Sequence, residues 1–134
     1  MKIDGGCHCG NITYEAEVDP EKVAICHCTD CQTMSGSAFR AVVPAASDKF
    51  KLLSGQPKIY VKTAESGNPR AQAFCPECGT HLYSAAVKDT PSYGIRLGTV
   101  RQRAQLTPKR QVWCRSALGW AMEAGSIQPQ LDRQ

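Results

Sequence analysis

The chain has 134 residues, 42% of them apolar and 7% aromatic, with 16 lysines and arginines against 12 acids. This is the size of one domain, expected over 1–134, with a core over about 3–124 and a closing tail at 126–134. No segment approaches the roughly 20 consecutive apolar residues of a membrane-spanning helix, and a net charge of +4 gives no clustered basic face of the kind nucleic-acid binding needs.

The first ten residues, MKIDGGCHCG, lack the apolar run of a signal peptide. The expectation is a cytoplasmic protein without membrane association, whose eight cysteines stay reduced and serve as metal ligands or catalytic groups. Asn11–Val18 alternates, with Ile12, Tyr14, Ala16 and Val18 on one face and Thr13, Glu15 and Glu17 on the other, which predicts a half-buried strand. Further strands are predicted at Val23–Cys26, Ala38–Val43, Phe50–Leu53, Ile59–Lys62, Ala71–Cys75, His81–Val87 and Tyr93–Leu97. Asp19-Pro20, Pro44, Ser54–Pro57, Ser66–Pro69 and Pro91 punctuate them. Short helices are expected at Asp30–Ser35 and Ser116–Ala124. The fold class is mostly β, with no repeat, linker or low-complexity tract. In the tail, Ile127 and Leu131 are the residues available to pack down.

Seven cysteines fall into three groups: Cys7-x-Cys9, Cys26-x-Cys28-x-x-Cys31 and Cys75-Pro76-Glu77-Cys78-Gly79. Residues i and i+2 of an extended segment share a face, so Cys7 and Cys9 present two sulfurs together. Cys75 and Cys78 have zinc-knuckle spacing, with Pro76 fixing one dihedral and Gly79 permitting a positive φ. These four thiols form a closed four-sulfur set suited to structural zinc. Cys26, Cys28 and Cys31 supply three more sulfurs with no fourth nearby, and three ligands with an open position is how catalytic zinc is arranged.

Three thiolates on Zn²⁺ leave a local charge of −1 and a weakened Lewis acid, which favours a soft fourth ligand such as a substrate thiol. Seven thiolates remove seven charges and two zinc ions return four, so the loaded chain is near neutral, at about +1. Two other readings of the three-cysteine group stay open. One is a site closed by His8, His27 or His81, although His8 and His27 lie between ligands and point away from them in an extended segment. The other is a redox dithiol at Cys28 and Cys31, which lacks its βαβ context.

Cys114 and the two tryptophans, Trp113 and Trp120, are expected to pack in or beside the core, the tryptophans alternatively lidding a pocket. Arg40, Lys62, Arg70, Arg96 and Arg115 are candidates for holding an anionic substrate. Asp30 is the carboxylate nearest in sequence to the open site, as a helix-start residue or a support for the ligands.

The ordered stretches Gly5–Tyr14, Cys26–Gln32, Ser35–Phe39, Leu53–Gly55 before Tyr60, and Phe74–Thr80, with Trp113, Ser116 and Trp120 near the end, resemble the glutathione-dependent formaldehyde-activating enzyme family, the centromere-protein-V-like domain. The resemblance implies a β-tent (Mss4-like) architecture with two zinc ions. By position, Cys7, Cys9, Cys75 and Cys78 match the structural-zinc ligands, and Cys26, Cys28 and Cys31 the catalytic ones. The implied activity is that of a carbon–sulfur lyase of the S-(hydroxymethyl)glutathione synthase type, with glutathione and formaldehyde as partners. Two positions depart from the pattern: Gly119 where many relatives carry proline, and Gln111 where many carry histidine. A non-catalytic binding module for protein or nucleic acid, and a metal or thiol carrier, are the alternative functions.

Overall fold

The computed structural model describes residues 1–129, 132 and 133. Ten strands fall into two sheets. The smaller sheet has the order β1 (Lys2–Gly6), β2 (Thr13–Glu17), β5 (Phe50–Ser54) and is antiparallel. The larger has the order β10 (Arg110–Val112), β3 (Ala24–Cys26), β4 (Arg40–Ala46), β9 (Ser92–Arg96), β8 (His81–Ala86), β7 (Pro69–Phe74), β6 (Lys58–Thr63). Among the described residues only the β10–β3 pairing is parallel. Helix α1 (Thr29–Ser35) follows β3, and α2 (Gly119–Met122) is a single turn flanked by 3₁₀ turns. Among the described residues no helix is long and apolar enough to cross a membrane.

All eight strands expected from the alternation are present within a few residues, and the fold is mostly β. Strand β1 is an addition: Gly5 and Gly6 have no side chains to display an alternation, yet both residues pair with β2, opposite Tyr14 and Thr13. Glycine is required at position 5, because a Cβ there would overlap the Thr99 carbonyl oxygen. Pro44, expected to end a strand, lies inside β4 opposite Gly94. Pairing with β3 stops at Val42, so Pro44 has a neighbouring strand on one side only, where a missing N–H is tolerated.

The core lies between the two sheets. Ile3, Tyr14 and Ala16 of the small sheet meet Val43, Ala45, Ala73, Tyr83, Ala85 and Ile95 of the large one. Phe50 joins the layers, stacked on Tyr93 with centroids 4.5 Å apart and lying 5.1 Å from Tyr83 and 5.5 Å from Tyr14. Pairs of this kind add about 0.5–1.5 kcal/mol each beyond their burial. Rings are thus concentrated at the layer interface even though aromatics are scarce in the composition.

The tryptophans and Cys114 do not join this core. Trp113 is 43% and Trp120 59% exposed, and Cys114 is exposed too. The reason is positional: they follow β10, the last strand at one edge of the large sheet, where no second layer covers them. Ile127 is likewise exposed, and Leu131 falls outside the described residues.

Replacing Gly5 by alanine is expected to lower stability by about 1–3 kcal/mol through overpacking, measured by urea unfolding of metal-loaded protein. Unchanged stability would show that the β1–Thr99 approach relaxes freely.

Candidate metal centres and the pocket beside them

The first cluster is built from two strand ends. Cys7 follows β1 and is buried, with its Sγ accepting the Ile12 N–H at 3.2 Å. Cys75 follows β7, and the chain turns there through Cys75 N–H to the Thr80 carbonyl and Gly79 N–H to the Cys75 carbonyl, with Gly79 at φ 74°. The turn returns Cys78 to the same point, while the backbone N–H of His8 donates to the Thr80 hydroxyl at 3.1 Å. All four sulfurs lie within 4.8 Å of one another. Cys7–Cys9 and Cys9–Cys75 sulfurs are 3.6 and 3.8 Å apart, far beyond the ~2.05 Å of a disulfide. A tetrahedron with metal–sulfur bonds of about 2.3 Å has edges of about 3.8 Å, so the donor set fits a tetrahedral soft ion.

The second cluster hangs on the β3–α1 corner. Cys26 ends β3, and Cys28 caps α1, its Sγ accepting the Cys31 N–H at 3.2 Å. Cys31, one turn in, completes a set of three sulfurs within 4.8 Å. No histidine joins either cluster among the described residues. His27 is 1% exposed, and its Nε2 meets the Gln111 side-chain oxygen at 2.6 Å. His81 stacks on Phe74 with centroids 6.0 Å apart.

The carboxy-terminal segment holds this corner in place. β10 runs beside β3 with Val112 opposite Cys26, and the His27 N–H donates to the Val112 carbonyl at 3.0 Å. Gln32 Nε2 donates to the carbonyls of His27 and Ser116, both at 2.9 Å. One amide thus ties the thiol loop, α1 and the segment after Trp113 together. Gln111, one of the two departures from the family pattern, is part of the same brace.

Thiol acidity in both clusters is divided between neighbours. In the second, the hydrogen bond from Cys31 pulls Cys26 down to about 5 against its burial, helped by the Cys28 N–H and by Arg40; the same contact, with burial and Cys28, drives Cys31 well above the usual thiol range. In the first, the Thr80 hydroxyl and N–H bring Cys78 down to about 5. Burial alone would raise Cys7, but the Ile12 N–H, Cys9 and Cys75 bring it below the ordinary value. Cys9 rises to about 12: the Asn11 N–H favours its thiolate, but contact with Cys7, burial, Cys78 and Cys75 outweigh that. Each cluster without metal therefore shares protons among its sulfurs, and metal binding would release them.

Beside the three-thiol cluster lies a cavity of about 710 Å³, within the range of small-molecule sites. Strand register builds its floor. Directly opposed residues of antiparallel strands face the same way, and the pairs Cys26–Arg40, Val42–Arg96, Gly94–Ser84 and Ser84–Gln72 run across the sheet. Val43, Ile95 and Ala73, their odd-numbered neighbours, face the core. Walls come from α1, from Thr63–Glu65 at the end of β6, and from Val112–Trp113 and Arg115–Ser116.

All five basic residues singled out in the sequence line this one cavity, with Asp30 and Glu65 as its carboxylates. Lys62 pairs with Asp30 at 2.8 Å, and Arg115 with Glu65 at 2.7 Å while lying 4.9 Å above the Trp113 ring. Arg40, Arg70 and Arg96 have no carboxylate partner among the described residues. Trp113 lines the cavity; Trp120 does not, bordering instead a separate open depression with Gln32, Ala38 and Leu118. Gln72 was missed in the sequence. It is 3% exposed and accepts from both Arg40 Nη1 (3.4 Å) and Arg96 Nη2 (2.6 Å). A polar residue between two alanines in a buried strand was the available signal.

With the geometry in hand, comparison with known proteins gives the class. The profile of the glutathione-dependent formaldehyde-activating enzyme family matches residues 2–116, and the chain belongs to that family. It is similar to an uncharacterized lyase of Schizosaccharomyces pombe, 27% identical over 111 residues, 83% of this chain and 77% of that one. It also resembles a protein of Podospora anserina named for glutathione-dependent formaldehyde activation, 33% identical over 70 residues; that match covers 52% of this chain and 32% of the P. anserina protein. In fold it resembles a crystal structure of a Rhodobacter sphaeroides protein, with a TM-score of 0.63 and 17% identity over 81% of this chain and 99% of that one.

Cobalt(II) loading of the reduced protein is expected to give thiolate-to-cobalt absorption with two ions bound per chain. Cys28→Ser is expected to bind one. Two tightly held ions in that variant would dissociate Cys28 from the second centre.

Proposed function

We propose that the protein is a zinc-dependent carbon–sulfur lyase acting on thiol–aldehyde adducts, of the S-(hydroxymethyl)glutathione synthase type. In this reading Cys7, Cys9, Cys75 and Cys78 hold a structural zinc, and Cys26, Cys28 and Cys31 hold a catalytic one. The fold is then the family's β-tent, one domain over the whole chain, working in a reducing compartment such as the cytoplasm. The observation that carries the reading is that the three-thiol cluster opens onto a cavity in which Arg40, Arg70 and Arg96 have no carboxylate partner among the described residues.

Glutathione fits such a cavity by charge, since it offers two carboxylates beside its thiol. A zinc ion at the second cluster supplies Lewis acidity that favours the thiolate form of a substrate thiol. The chain's own residues do the remaining work. Arg40, Arg70 and Arg96 draw the carboxylates toward the sheet floor. Trp113 and the Arg115–Glu65 pair wall the cavity on its outer side, and the Gln32 brace keeps the thiol corner fixed. In the synthetic direction the substrate thiol gives up its proton to water, its sulfur forms a bond to the aldehyde carbon as the carbonyl π bond opens, and the resulting alkoxide oxygen takes a proton back from water. In the lyase direction that carbon–sulfur bond breaks and the proton returns.

The test is two-dimensional exchange NMR of glutathione and formaldehyde at equilibrium, with protein loaded with two zinc ions. Wild type is expected to speed interconversion, and Cys28→Ser to return it to the uncatalysed rate with its melting behaviour retained. Equal rates with and without wild-type protein would remove glutathione–formaldehyde chemistry.

A further inference from the structure

Two arginines at the thiol end of the cavity are buried without a carboxylate partner among the described residues. Arg40 is 6% and Arg96 8% exposed. Each spends one N–H on the same oxygen, that of the Gln72 amide. Arg40 Nη2 and Arg96 Nε are buried with no hydrogen-bond partner among the described residues. Two like charges sharing one neutral acceptor is a costly arrangement, since a buried cation needs a hydrogen-bonded anion to offset its lost hydration. Burial and Arg40 pull Arg96 down to about 9, which leaves it a cation at neutral pH.

The pair adjoins the reacting end of the pocket: Arg40 is the direct cross-strand neighbour of Cys26, and Arg96 that of Val42, two residues along β4. Planar guanidinium forks with free donors match a carboxylate, which they bind two oxygens at a time. Resting on the functional reading above, we propose that Arg40, Gln72 and Arg96 form a carboxylate-binding subsite, which holds an acid group of the reacting molecule beside the three-thiol centre. The group comes either from the thiol or from an aldehyde that itself carries a carboxylate. The second source would make a small oxo acid, rather than a neutral aldehyde, the preferred partner.

The test follows the arginine Nε–H resonances of ¹⁵N-labelled protein loaded with two zinc ions. One probe is S-methylglutathione, which has carboxylates but no free thiol. The other is glycolate, a small hydroxy acid. At least one is expected to shift the Arg40 and Arg96 signals saturably, and the diethyl ester of S-methylglutathione to leave them unmoved. A response to S-methylglutathione alone assigns the carboxylate to the thiol; a response to glycolate assigns it to the aldehyde. Gln72→Glu places a carboxylate between the two guanidiniums without changing the shape of the side chain, and is expected to weaken the responding probe about tenfold or more at an unchanged or raised melting temperature. Arg96→Lys, which keeps the charge and loses the fork, gives an independent weakening. If neither probe moves the wild-type signals, or if Gln72→Glu binds as wild type does, the arginines serve only as counter-charges to the thiolates and the subsite is overturned. Because the readout is binding, a positive result alongside failed exchange catalysis leaves the subsite and removes the formaldehyde reading. The reverse pair of results leaves the activity and removes the subsite.

Discussion

Everything at the site depends on the period-two alternation of one seven-stranded sheet. Strands β4, β9 and β7 carry Val43, Ile95 and Ala73 toward the core and Arg40, Arg96 and Gln72 away from it. Pairing register then fixes which residues meet. A slip of one residue in β4 would send Val43 into the pocket and Arg40 into the core, exchanging an apolar for a charged residue on each side. Burial of Val43 and Ile95, both 0% exposed, therefore fixes the placement of the arginines as firmly as it fixes the core. Site and core are two faces of one constraint, which makes the basic cavity inseparable from the fold that stabilises it.

Much of the fold was legible in the sequence because alternation is a local signal. Eight strands announced themselves by it, and the cysteine groups by spacing within a few residues. What was not legible was long-range. β1 hides behind Gly5-Gly6, whose role is to let Thr99 approach, and nothing near residue 5 reports a contact 94 positions away. β10 has three exposed residues and no alternation, and it exists by parallel pairing with β3. Trp113, Trp120 and Cys114 were expected inside on the strength of residue type, and position at the sheet edge overrode type. The basic residues are spread from 40 to 115, so no window of sequence contains the cavity they line. In hindsight, Arg40 and Arg96 carried a local mark: each is a charged residue in step with a strand's alternation yet opposite in phase to its apolar neighbours.

The two cysteine clusters take different places in this scheme. The first joins the end of β1, in the small sheet, to the end of β7, in the large one, so a metal there would staple the two layers at a rim the aromatic cluster does not reach. The second is held by a corner and a brace of hydrogen bonds, and α1 has no buried residue of its own. Losing metal from the first would loosen the layers, whereas losing it from the second would leave the sheets standing. That asymmetry suits one site that maintains structure and another that must stay open to exchange with small molecules.

Charge also links the second cluster to the arginine pair. Three thiolates around a divalent ion, as proposed, carry −1, while Arg40, Arg70 and Arg96, which line the same cavity without a carboxylate partner among the described residues, carry +3. The ion pairs Lys62–Asp30 and Arg115–Glu65 are self-contained and do not enter this sum. An excess of two positive charges remains in a partly enclosed space, where Coulomb terms are several times larger than in water. Such an excess disfavours the empty pocket and favours any ligand that brings in negative charges. A substrate thiol that loses its proton at the metal supplies one; a carboxylate at the guanidiniums supplies another, and arrival of either weakens the pull on the other. A molecule carrying both groups must gain enough from direct hydrogen bonds to the arginine forks to offset that competition, and the unpartnered Arg40 Nη2 and Arg96 Nε are the donors that can provide it.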